Sequence, residues 1–324
     1  MGTRIPAEVS DAELPGLRQP HGHQDPGHQM APFPGIPGQP YGRRDTGDRP
    51  APILPAMTAT HRYTHGHSPA VLASHSHRTA ADSAAYLLPH LRPGMSLLDV
   101  GCGPATVTAD LAEAVAPGRV VALDGAPAAL HAARATLTAR GLADRVELVG
   151  GDVHDLPLAD ASFDVVHAHQ LLQHVADPVA ALREMRRVVR AGGVVAVRDS
   201  VYSAKAWYPQ PPALERWRQV YMATARANGG EPDAGSRLLS WSRAAGFSRV
   251  QASASTWCYA TPELRAWWGG TWAERCRSSF GPRAVELGLA GPDELEEMAR
   301  AWQQWAEADD GWFVVVHGEV LARR

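Results

Sequence analysis

The chain has 324 residues, a formal net charge of −3 and an isoelectric point near 6.6. This weak charge excludes a general basic field for binding nucleic acid, so we expect a small molecule as the partner. Its three scattered cysteines exclude a disulfide framework, and no apolar run reaches membrane-spanning length, so we expect a protein of the cytoplasm without a membrane span.

The first 56 residues are rich in Pro, Gly, His and Gln and have no helical or strand periodicity. Because they offer little apolar surface to bury, we expect residues 1–56 to be a disordered tail. A helix is predicted over residues 74–91, where Ala, Tyr and Leu recur at helical spacing. Residues 57–92 are therefore assigned to an N-terminal helical lid.

Apolar strands and helices alternate through the next segment. Strands are predicted at 96–100, 120–124, 146–149, 163–168 and 194–199, and helices at 106–116, 128–140 and 178–190. This alternation is typical of a doubly wound α/β fold with a mostly parallel sheet. We assign residues 93–200 to this core.

The composition changes after Asp199, because all 10 tryptophans lie beyond Lys205. Helices are predicted over 202–245 and 262–308, with strands over 247–259 and 312–321. Residues 201–324 are therefore assigned to a helical, Trp-rich cap inserted in the C-terminal part, together with the last strands of the sheet.

The tryptophans admit two explanations. They could wall a pocket for an aromatic or polycyclic acceptor, or they could fill gaps between helices, as large apolar rings commonly do. The candidates for the pocket wall are Trp207, Trp217, Trp257, Trp267, Trp268 and Trp272.

The segment LLDVGCGPA, residues 97–105, carries the clearest motif. An apolar strand ends there in a turn with Gly101 and Gly103, which lets a nucleoside approach the main chain closely. The dinucleotide fingerprint requires a third glycine where this chain has Thr106. The pattern instead resembles motif I of the class I S-adenosylmethionine-dependent methyltransferases, with Ala105 in place of the usual third glycine.

This resemblance implies a Rossmann-like sheet of seven strands, S-adenosylmethionine as cofactor, and methyl transfer. It further implies that Asp99 orients the amino-acid end of the cofactor, through the loop or a water. Asp124, which precedes Gly125, would accept both ribose hydroxyls, because a carboxylate offers two acceptor oxygens. Asp152 would receive the adenine amino group, with Val153 as an apolar wall.

The segment FDVVHAHQLLQHV resembles the part of this family that follows the fourth strand and faces the reactive sulfonium. His169 and Gln170 are predicted to lie on the loop where the sheet opens, nearest the methyl group. His169 is the first candidate for a general base and His167 the second, since imidazole titrates near neutrality.

Ahead of the sheet, the His-rich segment RYTHGHSPAVLASHSHRTA resembles the lid of the ubiquinone and menaquinone methyltransferase-like branch. Tyr63 and His67 are the residues that this resemblance places at the charged end of the cofactor; a solvated polar helix is the alternative. The His-x-His pairs have no carboxylate or cysteine at ligand spacing, so we expect no metal.

These observations favour a methyltransferase acting on an aromatic or polycyclic secondary metabolite or a quinone-like compound. Two alternatives stay open: a protein that binds the cofactor without methyl transfer, as a scaffold, regulator or rearrangement catalyst, and a nicotinamide-dependent oxidoreductase. The sequence does not determine the oligomeric state, and a homodimer is one possibility.

Overall fold

The computed structural model describes residues 78–324. The expected tail over 1–56, most of the lid, and with it Tyr63 and His67, lie outside the described residues. The helices are α1 Ala80–Ser83, α2 Thr106–Ala114, α3 Pro127–Ala139, α4 Pro178–Val188, α5 Pro212–Ala227, α6 Ala234–Ala244, α7 Pro262–Ser278, α8 Phe280–Glu286 and α9 Pro292–Glu307. The strands are β1 Leu97–Val100, β2 Val120–Asp124, β3 Val146–Gly150, β4 Phe163–His169, β5 Val189–Tyr208, β6 Arg249–Tyr259 and β7 Trp312–Arg323.

The seven strands form one sheet in the order β3-β2-β1-β4-β5-β7-β6. Neighbouring strands from β3 to β5 pair in parallel, whereas β7 pairs antiparallel with both β5 and β6. The sheet is therefore mostly parallel, as the alternating pattern predicts. Its order reverses between β1 and β4, and in such sheets ligands bind beyond the carboxyl ends of the strands at this point.

Helices cover both faces of the sheet. Leu97 of β1 packs in a cluster with residues of α1, α2 and α3, whereas its neighbour Leu98 packs in a cluster with residues of α4 and α6. Successive side chains of a strand point to opposite faces, so a strand buried on both sides is apolar throughout. This explains why the core strands read as continuous apolar runs.

The aromatic residues beyond β5 form a third cluster. Trp217 of α5, Trp272 of α7 and Trp302 of α9 are fully buried there, and Phe313 of β7 joins them. The expected helices over 202–245 and 262–308 are in fact two and three separate helices. β5 also continues to Tyr208 instead of ending at 199, because its last residues pair with the start of β7.

The segment before the sheet is less helical than expected. A single helix over 74–91 is wrong for its described part, where α1 has four residues and a 3₁₀ turn covers Leu88–His90. Thr79 and Asp82 cap α1 reciprocally and fix its start. Pro89 has no N–H to donate to the carbonyl group of Ala85, so a continuous α-helix through this position would lose a hydrogen bond.

Candidate active site

The loop after β1 has a backbone that glycine permits. Gly101 has φ +71° and Gly103 has φ +54°, both in the left-handed region. A Cβ at Gly101 would lie 2.9 Å from Cδ1 of Leu171, whereas one at Gly103 would meet nothing within 4 Å. Ala105 also has a positive φ, of 59°, and precedes α2. The loop therefore leaves its backbone accessible at the edge of the sheet.

Asp99 is buried, and both of its carboxylate oxygens are engaged by protein groups. Oδ2 accepts a hydrogen bond from Oγ1 of Thr108 at 2.5 Å, and Oδ1 lies 2.7 Å from Nδ1 of His167. The carboxylate thus fixes the loop after β1 against α2 and β4. Asp99 also lines the cleft beside this loop.

Asp124 closes the same loop from the end of β2. Its Oδ2 accepts from the backbone N–H of Gly103 at 3.0 Å, and its Oδ1 accepts from the N–H of Ala126 at 2.9 Å. A carboxylate oxygen accepts more than one hydrogen bond, so both oxygens retain capacity for a ligand. Gly125 follows directly, where a Cβ would lie 3.4 Å from the carbonyl oxygen of Gly151.

Asp152 and Val153 follow β3. The Asp152 side chain is 68% exposed, and its Oδ1 accepts from the backbone N–H of His154 at 2.9 Å. Val153 is only 8% exposed and packs on the core of the sheet. The pair thus presents a polar acceptor beside an apolar wall.

These loops enclose a cleft of about 790 Å³ at the carboxyl ends of the parallel strands. It brings together every site residue expected from the sequence that lies within 78–324, namely Asp99, Gly101, Gly103, Asp124, Gly125, Asp152, Val153, His167, His169 and Gln170. A strand-end carboxylate beside a glycine loop and an apolar wall could hold a nucleoside, because ribose offers two adjacent hydroxyl donors.

His169 is the last residue of β4 and is 9% exposed, which corrects its expected position on the following loop. Neither ring nitrogen has a hydrogen-bond partner among residues 78–324. Burial, with the nearby charge of Arg78, lowers its pKa well below the ordinary value, so the ring is neutral at pH 7. It is thus available as a proton acceptor. In His167, Nδ1 is engaged with Asp99, and Nε2 has no partner within the same described range.

Gln170 lies just beyond β4, with φ 51°. Its Oε1 accepts from Nη2 of Arg78 at 2.8 Å, and its Nε2 lies 3.0 Å from Nε2 of His317. Arg198 in turn donates to Nδ1 of His317 at 3.0 Å. Sequence reasoning missed Arg78, Arg198 and His317. Arg78 lies in the predicted lid segment, where only Tyr63 and His67 were singled out, and the other two belong to no motif.

A second cavity, of about 530 Å³, adjoins the cleft under the Trp-rich helices. Arg78 and Gln170 line both cavities. Its aromatic lining consists of Tyr202, Trp257, Tyr259, Trp267, Trp268 and Trp272. Of the six candidate tryptophans, Trp207 and Trp217 are thus absent from the wall. They pack instead in the buried aromatic cluster.

Two further properties concern the described part of the chain alone. Within residues 78–324, no group of three His, Cys, Asp or Glu side chains is placed to hold a metal ion. A helix both long and apolar enough to cross a bilayer is also absent from that range.

Comparison with known proteins agrees with this geometry. A family model described as a methyltransferase domain matches residues 98–197. An uncharacterized methyltransferase of Schizosaccharomyces pombe is 29% identical over 269 residues, which cover 81% of this chain and 96% of that one. The demethylmenaquinone methyltransferase of Geobacillus stearothermophilus is 36% identical over 133 residues, 41% of this chain and 53% of that one.

The fold is similar to that of the YcgJ protein of Bacillus subtilis, with a TM-score of 0.50 and 17% identity over 78% of this chain and 99% of that one. The matched residues 98–197 run from β1 into β5 and include the glycine loop, Asp124 and His169. The oxidoreductase alternative is therefore set aside. The chain is therefore an S-adenosylmethionine-dependent methyltransferase, and its matched domain is similar to those of the class I enzymes.

Proposed function

We propose that this methyltransferase acts on an aromatic, polycyclic or quinone-like small molecule, such as a secondary metabolite, bound in the Trp-lined cavity. The observation that carries the proposal is that Arg78 and Gln170 line both this cavity and the cleft. A cofactor in the cleft and an acceptor in the cavity would meet at these two residues. The aromatic lining favours a planar acceptor, because aromatic faces stack.

For the cofactor, we propose the roles that the resemblance implies. Asp124 accepts the ribose hydroxyls, Asp152 receives the adenine amino group, and Val153 supports the adenine ring. The loop with Gly101 and Gly103 approaches the ligand through its backbone. Asp99 orients the amino-acid end of the cofactor through the loop or a water, because its buried carboxylate is held in place by Thr108 and His167.

The bound cofactor supplies an electrophilic methyl group on a sulfonium, so the protein mainly has to position the acceptor. Holding two reactants in attack geometry contributes up to about 7 to 11 kcal/mol in ideal cases. Where the acceptor is a hydroxyl, we propose that a ring nitrogen of His169 takes its proton as the new bond to carbon forms. His169 suits this role better than His167, because its ring packs against Trp257 of the Trp-lined cavity, whereas His167 is fully buried.

The test combines binding with a screen for transfer. Calorimetry against S-adenosylmethionine and S-adenosylhomocysteine measures occupancy of the cleft, and phenols, quinones and polyketides are then incubated with labelled-methyl cofactor. We expect label in at least one planar acceptor, with S-adenosylhomocysteine in equal amount. Tight cofactor binding with transfer only to non-planar amines would contradict the proposed acceptor class.

A matched pair of variants tests whether the acceptor binds in the Trp-lined cavity. Trp257→Ala removes part of its wall, whereas Trp241→Ala changes a tryptophan that packs against the sheet core instead. We expect Trp257→Ala to raise the acceptor KM at least tenfold without changing the affinity for S-adenosylhomocysteine. Equal effects of the two substitutions on KM would place the acceptor elsewhere.

A further inference from the structure

Lys205 is the only lysine in the chain, and it is buried in the wall of the Trp-lined cavity. It is 4% exposed, and Arg275, which lines the same cavity, is 7% exposed. The two carboxylates of the lining, Asp82 and Glu263, are both exposed to solvent. The buried part of the cavity wall is therefore basic.

Aromatic rings surround the Lys205 amine. Its Nζ lies 3.0 Å from the ring centroid of Tyr202, 5.5 Å from that of Trp272 and 5.8 Å from that of Trp217. Cζ of Arg275 lies 5.0 Å from the ring centroid of Trp272. Lys205 and Arg275 thus both contact Trp272, one from β5 and the other from within α7 itself.

Within residues 78–324, no carboxylate forms an ion pair with Lys205. Burial lowers the pKa of its amine well below the ordinary value; Arg275 and Arg218 act in the same direction, and Asp233 opposes them. A buried cation is costly unless an anion compensates it. None of the described protein groups supplies an anion to Lys205. We therefore expect a ligand in the cavity to supply it.

We propose that the acceptor carries an anionic group, a carboxylate or a phenolate, which Lys205 and Arg275 bind at the buried wall of the Trp-lined cavity. The inference rests on the proposed function, which assigns this cavity to the acceptor. The aromatic rings hold the planar body, while Arg78 and Gln170 lie where the cavity meets the cleft. A cationic amine is disfavoured at this end, because the Lys205 amine already lies over the ring of Tyr202 and the Arg275 guanidinium over that of Trp272.

The test measures binding without turnover, so it is independent of methyl transfer. Full-length protein saturated with S-adenosylhomocysteine is titrated with naphthoate, its neutral analogue naphthamide, and naphthylmethylammonium. A second pair, para-nitrophenolate and nitrobenzene, distinguishes a phenolate from a carboxylate. We expect at least one anion to bind tenfold or more tightly than its neutral analogue, and the ammonium most weakly. Equal binding within both pairs, or tightest binding of the ammonium, would overturn the proposal.

Substitutions test whether Lys205 causes the preference for an anionic over a neutral probe. Lys205→Met keeps the length and apolar stem of the side chain but removes its charge. We expect it to reduce the anion preference at least fivefold, while the affinity for S-adenosylhomocysteine stays unchanged. The matched control is Arg277→Met, also on α7, where the guanidinium is exposed and pairs with Glu296. An anion preference that survives Lys205→Met, or that Arg277→Met reduces equally, would refute the assignment.

Because Lys205 is the single lysine, its charge state can be measured directly by NMR. Protein labelled with carbon-13 at the lysine Cε gives one side-chain resonance, whose shift reports whether Lys205 is charged. We expect its pH titration to give a pKa well below that of an ordinary lysine with S-adenosylhomocysteine alone, and a higher pKa once the anionic probe is bound. An unchanged resonance at saturating probe would show that the anion binds away from Lys205. Should the anion bind here while no acceptor is methylated, the proposed function fails and the anion site stands.

Discussion

Asp99 and His167 face each other across the adjacent parallel strands β1 and β4, with Oδ1 of the carboxylate 2.7 Å from Nδ1 of the imidazole. Both side chains are buried, and Thr108 holds the other carboxylate oxygen. The glycine loop is therefore anchored to two neighbouring elements by one carboxylate. His167, which the sequence offers as an alternative base, belongs to this anchor.

The first prediction is that His167→Ala destabilises the fold. It leaves Oδ1 of Asp99 buried without its partner, which costs about 1.5 to 3 kcal/mol for a hydrogen bond to a charged group. Urea unfolding measures the loss. His131→Ala, at an exposed position on α3, is the control and should change stability by less than about 0.5 kcal/mol. A loss no larger than the control's would remove His167 from the anchor.

The second prediction concerns Asp124. Asp124→Ala removes the proposed acceptor of the ribose hydroxyls and also frees the N–H groups of Gly103 and Ala126. We expect the affinity for S-adenosylhomocysteine to fall by about 1.5 to 3 kcal/mol, measured by calorimetry. Asp144→Ala changes an exposed aspartate ahead of β3 and serves as the control. Unchanged affinity in Asp124→Ala would refute the ribose assignment.

Local pattern was sufficient to predict the parallel sheet and the glycine loop. β2 matches its expected limits, and β1, β3 and β4 lie within one residue of theirs, because strands buried on both faces are apolar runs bounded by turns. The ten described site residues meet in one cleft because loops at the carboxyl ends of parallel strands are neighbours in space.

What the sequence could not predict depends on contacts between distant elements. The extension of β5 to Tyr208 is stabilised by pairing with β7, about a hundred residues later. Arg78, Arg198 and His317 meet at Gln170 from three separate segments without any shared motif. The division of tryptophans between cavity wall and core likewise depends on how α5, α7 and α9 pack.

The third prediction uses two glycines with similar backbone. Gly101 has φ +71° and Gly141 has φ +68°, so alanine costs about 1 to 2 kcal/mol of backbone strain at either. Only at Gly101 would the new Cβ meet a neighbour, Cδ1 of Leu171 at 2.9 Å. We expect both variants to lose stability by thermal unfolding, but only Gly101→Ala to lose affinity for S-adenosylhomocysteine. Equal affinity of the two variants for S-adenosylhomocysteine would show that the glycine loop does not contact the cofactor.

The fourth prediction follows from the buried Asp199. Its Oδ1 accepts from the N–H of Gln173 at 3.1 Å, while no described group bonds Oδ2, and burial raises its pKa from 3.8 to about 7. The folded state therefore holds this proton to a higher pH than the unfolded chain does. The ionised carboxylate costs stability that grows between about pH 4 and pH 7 and is constant above that, up to about 4 kcal/mol.

Asp199→Asn keeps the shape of the side chain and cannot ionise. We expect it to be more stable than the wild type at pH 8, with the difference shrinking as the pH falls toward 4. Urea unfolding at several pH values measures this, with Asp144→Asn as the control for an exposed aspartate. If the difference in free energy of unfolding between Asp199→Asn and the wild type were the same at every pH from 4 to 8, ionisation of Asp199 would cost little stability.

The fifth prediction tests His169 as the proton acceptor. Because burial lowers its pKa well below the ordinary value, the ring stays neutral as the pH falls through 6.5, and kcat should show no loss there from His169. With a hydroxyl acceptor, His169→Asn should lower kcat by a factor of about 100 or more, the usual contribution of a general base. The affinity for S-adenosylhomocysteine should change little.

A purely structural role of His169 gives a different pattern. His169 packs edge-on against Trp257, with ring centroids 5.5 Å apart, so loss of packing would raise the acceptor KM and leave kcat nearly unchanged. An acceptor that reacts through an already ionised oxygen provides the internal control, because it needs no base and its kcat should be insensitive to His169→Asn. A fall in kcat of less than about threefold with the hydroxyl acceptor would remove His169 from proton transfer and leave positioning as the whole of its contribution.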